Sequence, residues 1–281
     1  MATIPLYVRR LATAAIVAVA FLLLYLHVVV KLVHDWATDD NYSHGFFIVP
    51  LAAYLAWERR DRLAALERRP SNVGLAVVIA SLGVMVAGTI GAELFLTRIS
   101  MIGVCGGAVL FLAGRQHFRV LLFPLLFLLL MVPIPAIVFT RIALPLQLLA
   151  SRFGTTVMSA AGVPVLREGN VLVLSNTTLE VAEACSGIRS LISLLTLGIV
   201  LGYFTDRRSW ARVTIALMTI PIAIVTNGLR VAGTGIAARY YGAAAAEGFF
   251  HSFSGWLLFI AALGLLTAVQ RGIGTLQLET S

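Results

Sequence analysis

The 281-residue chain is 59% hydrophobic and only 12% charged, about half the charged fraction of an ordinary water-soluble domain. This composition excludes a soluble globular protein and predicts that most of the chain lies in a membrane. The formal charge of +8 does not indicate nucleic-acid binding, because the Arg and Lys residues are spread over short segments between apolar runs.

Eight apolar runs predict an all-α polytopic membrane protein that forms a single domain over residues 1–281. The predicted spans are 11–33, 46–57, 73–91, 95–113, 120–139, 188–204, 212–229 and 251–270. The first run is longer than a signal-peptide core and no A-x-A pattern ends it, so it is interpreted as a retained span. The second run is short for a crossing, and the segment 140–187 is predicted to be too polar to cross.

Arginine residues occupy alternate gaps between the predicted spans, and such gaps are typically cytoplasmic. The gaps predicted to lie inside are 58–70, 114–119 and 205–212. The segments 140–187 and 230–251 are then predicted to face outward. The second run is counted as a crossing because it places the arginines that follow it inside.

The long outer segment has two parts. The apolar residues of 143–158 recur at mixed three- and four-residue spacings, with Arg141 and Arg152 as polar breaks, which is typical of an amphipathic helix on the membrane surface. Residues 163–181 alternate as strands do around the turn signal Glu168-Gly169-Asn170, so a small outer β-hairpin is predicted before the sixth span.

Three predicted span ends bring reactive side chains to one level of the outer face. Cys185 precedes the sixth span, Arg230 closes the seventh and His251 opens the eighth. A thiol at a helix N-terminus is favoured as a thiolate, a guanidinium can hold that thiolate or an oxyanion, and an imidazole can carry a proton. These residue types together predict acyl transfer by a cysteine nucleophile. The alternatives are a cysteine that fills space, an arginine that reaches lipid headgroups and a polar helix cap.

Other residues are candidates for supporting or substrate-binding roles: Glu183, Ser186, Arg189, Asn227, Tyr42 and His44. Arg189 adds a fixed positive charge one turn after the nucleophile, and Asn227 shares a helix face with Arg230. Glu183 either orients one of the catalytic side chains or only faces water.

The first outer loop, residues 35–45, is a second polar cluster. Its carboxylates and histidine show no metal-ligand spacing, so neither a metal nor another cofactor is predicted. The loop is interpreted either as a solvated turn or as a substrate contact.

The chain contains two cysteines. Cys105 falls near the middle of the fourth predicted span, on the order of 15 Å from the membrane surface, whereas a disulfide needs Cα atoms within about 7 Å. Cys185 is therefore predicted to be a free thiol, and Cys105 is predicted to be a packing residue.

Four segments together resemble the exosortase/archaeosortase family: Asp40-Asn41-Tyr42-Ser43-His44-Gly45, Glu183-Ala184-Cys185-Ser186-Gly187-Ile188-Arg189-Ser190, Asn227-Gly228-Leu229-Arg230 and His251. The resemblance covers nearly the whole chain. It implies a membrane-embedded cysteine transpeptidase in which Cys185, Arg230 and His251 are catalytic. A histidine as the third residue resembles the bacterial exosortase branch, which implies a bacterial inner membrane and an active site facing the periplasm.

The resemblance also implies the partners. Family members recognise exported proteins that end in a Pro-Glu-Pro-type motif, a transmembrane helix and a basic tail, and they pass the cleaved chain to an acceptor, here an unknown lipid or glycan, or to water. Membrane lipids are expected partners, whereas nucleic acid is not, and the C-terminal soluble domain of some relatives is not expected. Two other classes stay open: a transporter component, which would carry polar residues in mid-span, and a non-catalytic membrane scaffold.

Overall fold

The computed structural model describes residues 6–181, 187–206, 208–242 and 249–278, and the side chains of all of these except 6–14, 249–254 and 276–278. The chain divides into two compact units, Met1–Ile134 and Pro135–Ser281. Within the described residues, seven helical segments are long and apolar enough to cross a membrane: Ala15–Thr38, Asn72–Ile90, Leu94–Leu112, Ala136–Ala160, Ile188–Thr205, Ser209–Tyr241 and Gly255–Thr275. Gly45–Trp57 is a shorter apolar helix. The predicted all-α polytopic membrane fold is confirmed, while the prediction of a single domain stays a prediction.

The first unit is helical throughout. Its elements are α1 (Leu6–Thr38), α2 (Gly45–Trp57), α3 (Arg60–Ala64), α4 (Asn72–Ile90), α5 (Leu94–Leu112), α6 (Arg115–Phe127) and a 3-10 helix (Leu128–Met131). Helices α4 and α5 form a close antiparallel pair, because a Cβ atom at Gly74 would lie 2.1 Å from the backbone nitrogen of Phe111. Glycine is the residue that allows two membrane helices to approach this closely.

The two ends of this unit differ in chemistry. At the arginine-rich end, the N–H of Arg69 donates to the carbonyl oxygen of Ala113 at 3.2 Å. At the opposite end, Trp36 Nε1 donates to the carbonyl oxygen of Met131 at 2.9 Å. Helix α6 and the 3-10 helix therefore run from one end to the other, over about 27 Å, which is close to the thickness of a hydrocarbon core.

The prediction of one helix over residues 120–139 is wrong. Val132 is extended (φ −88°, ψ 118°), because the ring of Pro133 disfavours a helical conformation in the residue before it. The apolar run is thereby divided between the 3-10 helix and α7 (Ala136–Ala160). Helix α7 has 25 residues and is a candidate membrane span by length and composition, so residues 140–160 are more apolar than was predicted for the segment 140–187.

The second unit continues from α7 into a small sheet and three long helices. Its further elements are β1 (Val165–Glu168), β2 (Val171–Leu174), β3 (Thr178–Glu180), α8 (Ile188–Thr205), α9 (Ser209–Tyr241) and α10 (Phe249–Leu278). The strands form an antiparallel sheet in the order β1-β2-β3, and Glu168 pairs with Val171. Gly169 has a φ of +66°, as a two-residue hairpin turn with glycine first requires. The predicted hairpin is confirmed, and a third strand extends it.

Helix α9 is longer than predicted, so Arg230 does not close it. The helix continues to Tyr241, because residues after Arg230 are buried against α7 and the sheet. Val231 and Ala232 join Met158 of α7 and Leu172 of the sheet in one buried cluster. Helices α8, α9 and α10 pack together around a second cluster deeper in the unit, formed by Leu194, Ile215, Ile222, Ala223, Ala262 and Leu266.

Candidate functional site

Arg230 lies against the first part of α10. A Cβ atom built at Gly255 would lie 3.6 Å from Nη1 of Arg230, an ordinary van der Waals contact, so the guanidinium lies close to α10 at this residue. His251 precedes Gly255 by one helical turn, a rise of about 6 Å. His251 lies in the first turn of α10, as predicted, and its side chain lies outside the described residues.

Asn227 contacts the start of α8 at Gly187. A Cβ atom at Gly187 would lie 2.7 Å from the side-chain amide carbon of Asn227, and Gly187 has a φ of +80°. Both the close approach and the left-handed backbone require glycine here. Asn227 is only 5% exposed, so this contact is part of the packed interior.

Helix α8 begins at Ile188, with Gly187 as its N-cap residue. The carbonyl oxygen of Gly187 accepts the N–H of Leu191 at 2.8 Å, and Gly187, which has no side chain, cannot cap the helix itself. The N-terminal N–H groups and the helix dipole favour a negative charge at this position. Arg189 adds a cation in the first turn, as the sequence predicted.

A small cavity between α8, α9 and α10 is lined by Asn227, Arg230 and Gly255. Its polar lining comes from Ser190, Thr226, Asn227 and Arg230, and no acidic side chain is among its described lining residues. Asn227 and Arg230 therefore share a helix face, which confirms the prediction from their three-residue spacing. The rest of the lining is apolar and includes Leu194, Ala223 and Phe259. The guanidinium of Arg230 thus borders an apolar cavity, where water screens charge less.

Three predicted site residues, Glu183, Cys185 and Ser186, lie outside the described residues. Cys185 precedes Gly187 by two residues in the sequence, and Gly187 is the residue of α8 that contacts Asn227. The catalytic role of Cys185 and the supporting or substrate-binding roles of Glu183 and Ser186 stay predictions.

The other two candidates, Tyr42 and His44, belong to the first unit and are not part of a solvated turn. Tyr42 is 8% exposed, and burial raises the pKa of its phenol. His44 Nε2 donates to the carbonyl oxygen of Leu130 at 3.0 Å, and burial lowers the pKa of its imidazole. Both residues fix the connection between α1 and α2, whereas their role toward substrate stays a prediction.

The first unit contains a buried ion pair that was not predicted from the sequence. The guanidinium of Arg98, 2% exposed, pairs with Asp35, which also accepts Lys31 at 2.9 Å. Arg98 lies inside the predicted span 95–113, and this position could have indicated the ion pair, since a charged residue in a membrane is costly and needs a partner. The pair lies four residues from the start of α5 and three from the end of α1, not at mid-span, where a transporter would hold its substrate.

Among the described residues, no group of three or more His, Cys, Asp or Glu side chains could hold a metal ion. Cys105 is a half-buried free cysteine in α5. The described part of the site thus combines a cation, an amide and a helix N-terminus, an arrangement that can bind negative charge.

The model of the family described as transmembrane exosortase matches residues 36–268 of the chain. Comparison with curated proteins and with solved structures gives no significant match.

Proposed function

The chain belongs to the transmembrane exosortase family, and we propose that it is a membrane-embedded cysteine transpeptidase whose nucleophile is Cys185. Family membership supports a membrane protease or transpeptidase role in general. One structural observation supports the finer assignment: Arg230 lies beside Gly255, and Asn227, one turn earlier in α9, packs against Gly187. The segments that carry His251 and Cys185 thus approach the same turn of one helix.

In the proposed reaction, the thiolate of Cys185 attacks the scissile carbonyl carbon of the substrate. The electron pair of the carbonyl moves onto its oxygen, and Arg230 stabilises the resulting oxyanion. When the tetrahedral intermediate collapses, the C–N bond breaks and His251 donates a proton to the departing amine. A thioester remains, and a nucleophile on the acceptor displaces Cys185 to complete the transfer.

The proposed substrate is an exported protein with a C-terminal sorting signal of the Pro-Glu-Pro type, followed by a transmembrane helix and a basic tail. A helix held by a cytoplasmic basic tail presents the preceding peptide bond at the outer surface of the membrane. The acceptor is proposed to be an amine or hydroxyl of a lipid or glycan. Water in place of that acceptor would give hydrolysis.

The site is proposed to face the periplasmic side of the inner membrane, and the sheet supports this orientation. Strands β1 and β3 are edges, and an open sheet edge exposes backbone groups that hydrocarbon cannot satisfy. The sheet must therefore lie outside the hydrocarbon, together with the residues that pack on it, Ala150 and Met158 of α7. Only about 14 residues of α7, some 21 Å, then remain for the hydrocarbon, which is too short for a full crossing.

The two cysteines provide the test of this function. Cys185→Ala and Cys185→Ser should abolish processing of a co-expressed substrate that carries a sorting signal, because a hydroxyl at neutral pH cannot replace a thiolate. Cys105→Ala should leave processing nearly intact, since the thiol of Cys105 lies within α5. Substrate size would be followed on immunoblots, with the membrane level of each variant as the control.

Processing by Cys185→Ala at normal protein level would exclude the cysteine mechanism and favour a non-catalytic scaffold. Loss of processing in Cys105→Ala alone would place the nucleophile elsewhere.

A further inference from the structure

The hairpin turn is hydrogen-bonded to Val181, the residue that precedes residues 182–186, the nucleophile segment. Val181 is the last described residue before this segment. Its N–H donates to the carbonyl oxygen of Asn170 at 2.9 Å, and its carbonyl oxygen accepts Nδ2 of Asn170 at 3.3 Å. Val181 is only 3% exposed. A single residue, Asn170, therefore fixes both backbone groups of Val181 at a buried position.

The turn is itself fixed to α7. Ser151 is fully buried, and its Oγ lies 3.0 Å from the carbonyl oxygen of Gly169. Nη1 of Arg167 donates to the same carbonyl oxygen at 3.0 Å. These contacts leave the Gly169-Asn170 turn little freedom to move relative to α7.

The sheet is also bonded to the helix that carries Arg230. At the loop between β2 and β3, Nδ2 of Asn176 donates to the carbonyl oxygens of Ala238 and Arg239 at 3.1 and 3.3 Å. These carbonyls lie near the end of α9, two to three turns after Arg230. The position of Val181 is therefore set relative to Arg230 through the sheet and a continuous helix.

The nucleophile segment leaves at Gly187, which contacts Asn227 of the same helix. The five residues between Val181 and Gly187 thus connect two points that are both fixed relative to α9. If the first of these points moves, the thiol can move with it.

We infer that Asn170 is a positioning residue, whose carboxamide holds Val181 and thereby sets the place of the Cys185 thiol relative to Arg230. The inference rests on the proposed role of Cys185 as the nucleophile. Stabilisation of a thiolate by a nearby cation weakens with distance. Loss of the Asn170 bond should therefore reduce the thiolate fraction at neutral pH and slow the attack on substrate.

The test uses the full-length Cys105→Ala protein, purified in detergent, in which Cys185 is the single thiol. The rate of alkylation by iodoacetamide would be measured from pH 5 to 10 for this parent, for Asn170→Asp and for Asn170→Ala. Asp has the shape of Asn but lacks the N–H donor, and it turns a carboxylate toward the Val181 carbonyl. Thr178→Ala is the matched control, because Thr178 is an exposed residue of the same sheet.

The alkylation midpoint of the parent should lie below that of an ordinary thiol, about 8.5, and both Asn170 variants should move it toward that value. A shift of one unit corresponds to about a tenfold lower alkylation rate at pH 7, and substrate processing should fall in parallel. Thr178→Ala should behave like the parent.

An unchanged midpoint in monodisperse Asn170→Asp overturns the inference, even if its thermal stability falls, because Asn170 then only stabilises the fold. A parent midpoint of 8.5 overturns it as well. Failure of the proposed function would be seen separately, as normal processing by Cys185→Ala.

Discussion

Gly187 packs against Asn227 so closely that a Cβ atom would lie 2.7 Å from the amide carbon and 2.8 Å from Nδ2. Gly187→Ala should therefore displace the start of α8 or the side chain of Asn227. The left-handed backbone at this residue adds a cost of about 1–2 kcal/mol for alanine. We expect substrate processing to be largely lost, with a lower thermal stability in detergent.

Gly233→Ala is the matched control for this prediction, because a Cβ atom at Gly233 of α9 would meet no heavy atom within 4 Å. Alanine should even stabilise α9 slightly, since it is the better helix former. Equal processing by the Gly187 and Gly233 variants would show that the Gly187 contact does not matter for the site.

Arg230→Lys should fail to restore processing although it keeps the positive charge. A planar guanidinium can donate two parallel hydrogen bonds, whereas an ammonium group is a point charge on a flexible stem. Loss of one oxyanion donor lowers the rate on the order of 100-fold. The rate of substrate cleavage would be compared with that of Arg239→Lys, a change near the end of the same helix.

Near-normal cleavage by Arg230→Lys, at equal protein level, would reduce Arg230 to an arginine that anchors α9. A similar loss in Arg239→Lys would point to a general effect of arginine on the membrane placement of the helix.

The sequence was a good guide wherever a single chemical pattern governed the structure. Apolar runs located most of the helices, the Gly169-Asn170 turn located the hairpin, and the start of α8 was predicted at Ile188. One error was local, because the apolar content of 120–139 was given more weight than Pro133, which divides the run. The other came from long-range packing, because residues of α9 beyond Arg230 pack with α7 and the sheet, which apolar content alone could not show.

The site was predictable only in part for the same reason. Residue chemistry identified Arg230 and Asn227, and helical periodicity placed them on one face. Gly187 carries no reactive group, and its importance appears only when α8 and α9 are packed together. Asn170 was recognised as a turn residue, but its bond to Val181 depends on the third strand.

The orientation can be tested by labelling single cysteines in a Cys105→Ala, Cys185→Ala background. Glu168→Cys should react with a membrane-impermeant thiol reagent in intact cells, because Glu168 lies in the sheet. Ala64→Cys should react only after the membrane is opened, since it lies in the arginine-rich segment 58–70. The reverse pattern would place the sheet in the cytoplasm and contradict an outer active site.

The pH dependence of stability should reveal the buried state of His44. Burial lowers the pKa of His44, so the unfolded chain binds a proton more readily than the folded one as the pH falls. The free energy of unfolding therefore has its full value above the pKa of His44 in the unfolded chain, about 6.5, and it decreases as the pH falls below that value. Apparent melting temperatures in detergent between pH 5 and 8 would measure this loss.

His44→Gln should flatten the acid side of that profile, because an amide keeps a donor for the Leu130 carbonyl but does not titrate. His34→Gln is the comparison variant, because His34 is exposed and its Nδ1 lies 3.8 Å from Oδ1 of Asp35. If His34→Gln removes the acid sensitivity and His44→Gln does not, the burial of His44 is not the source of that sensitivity.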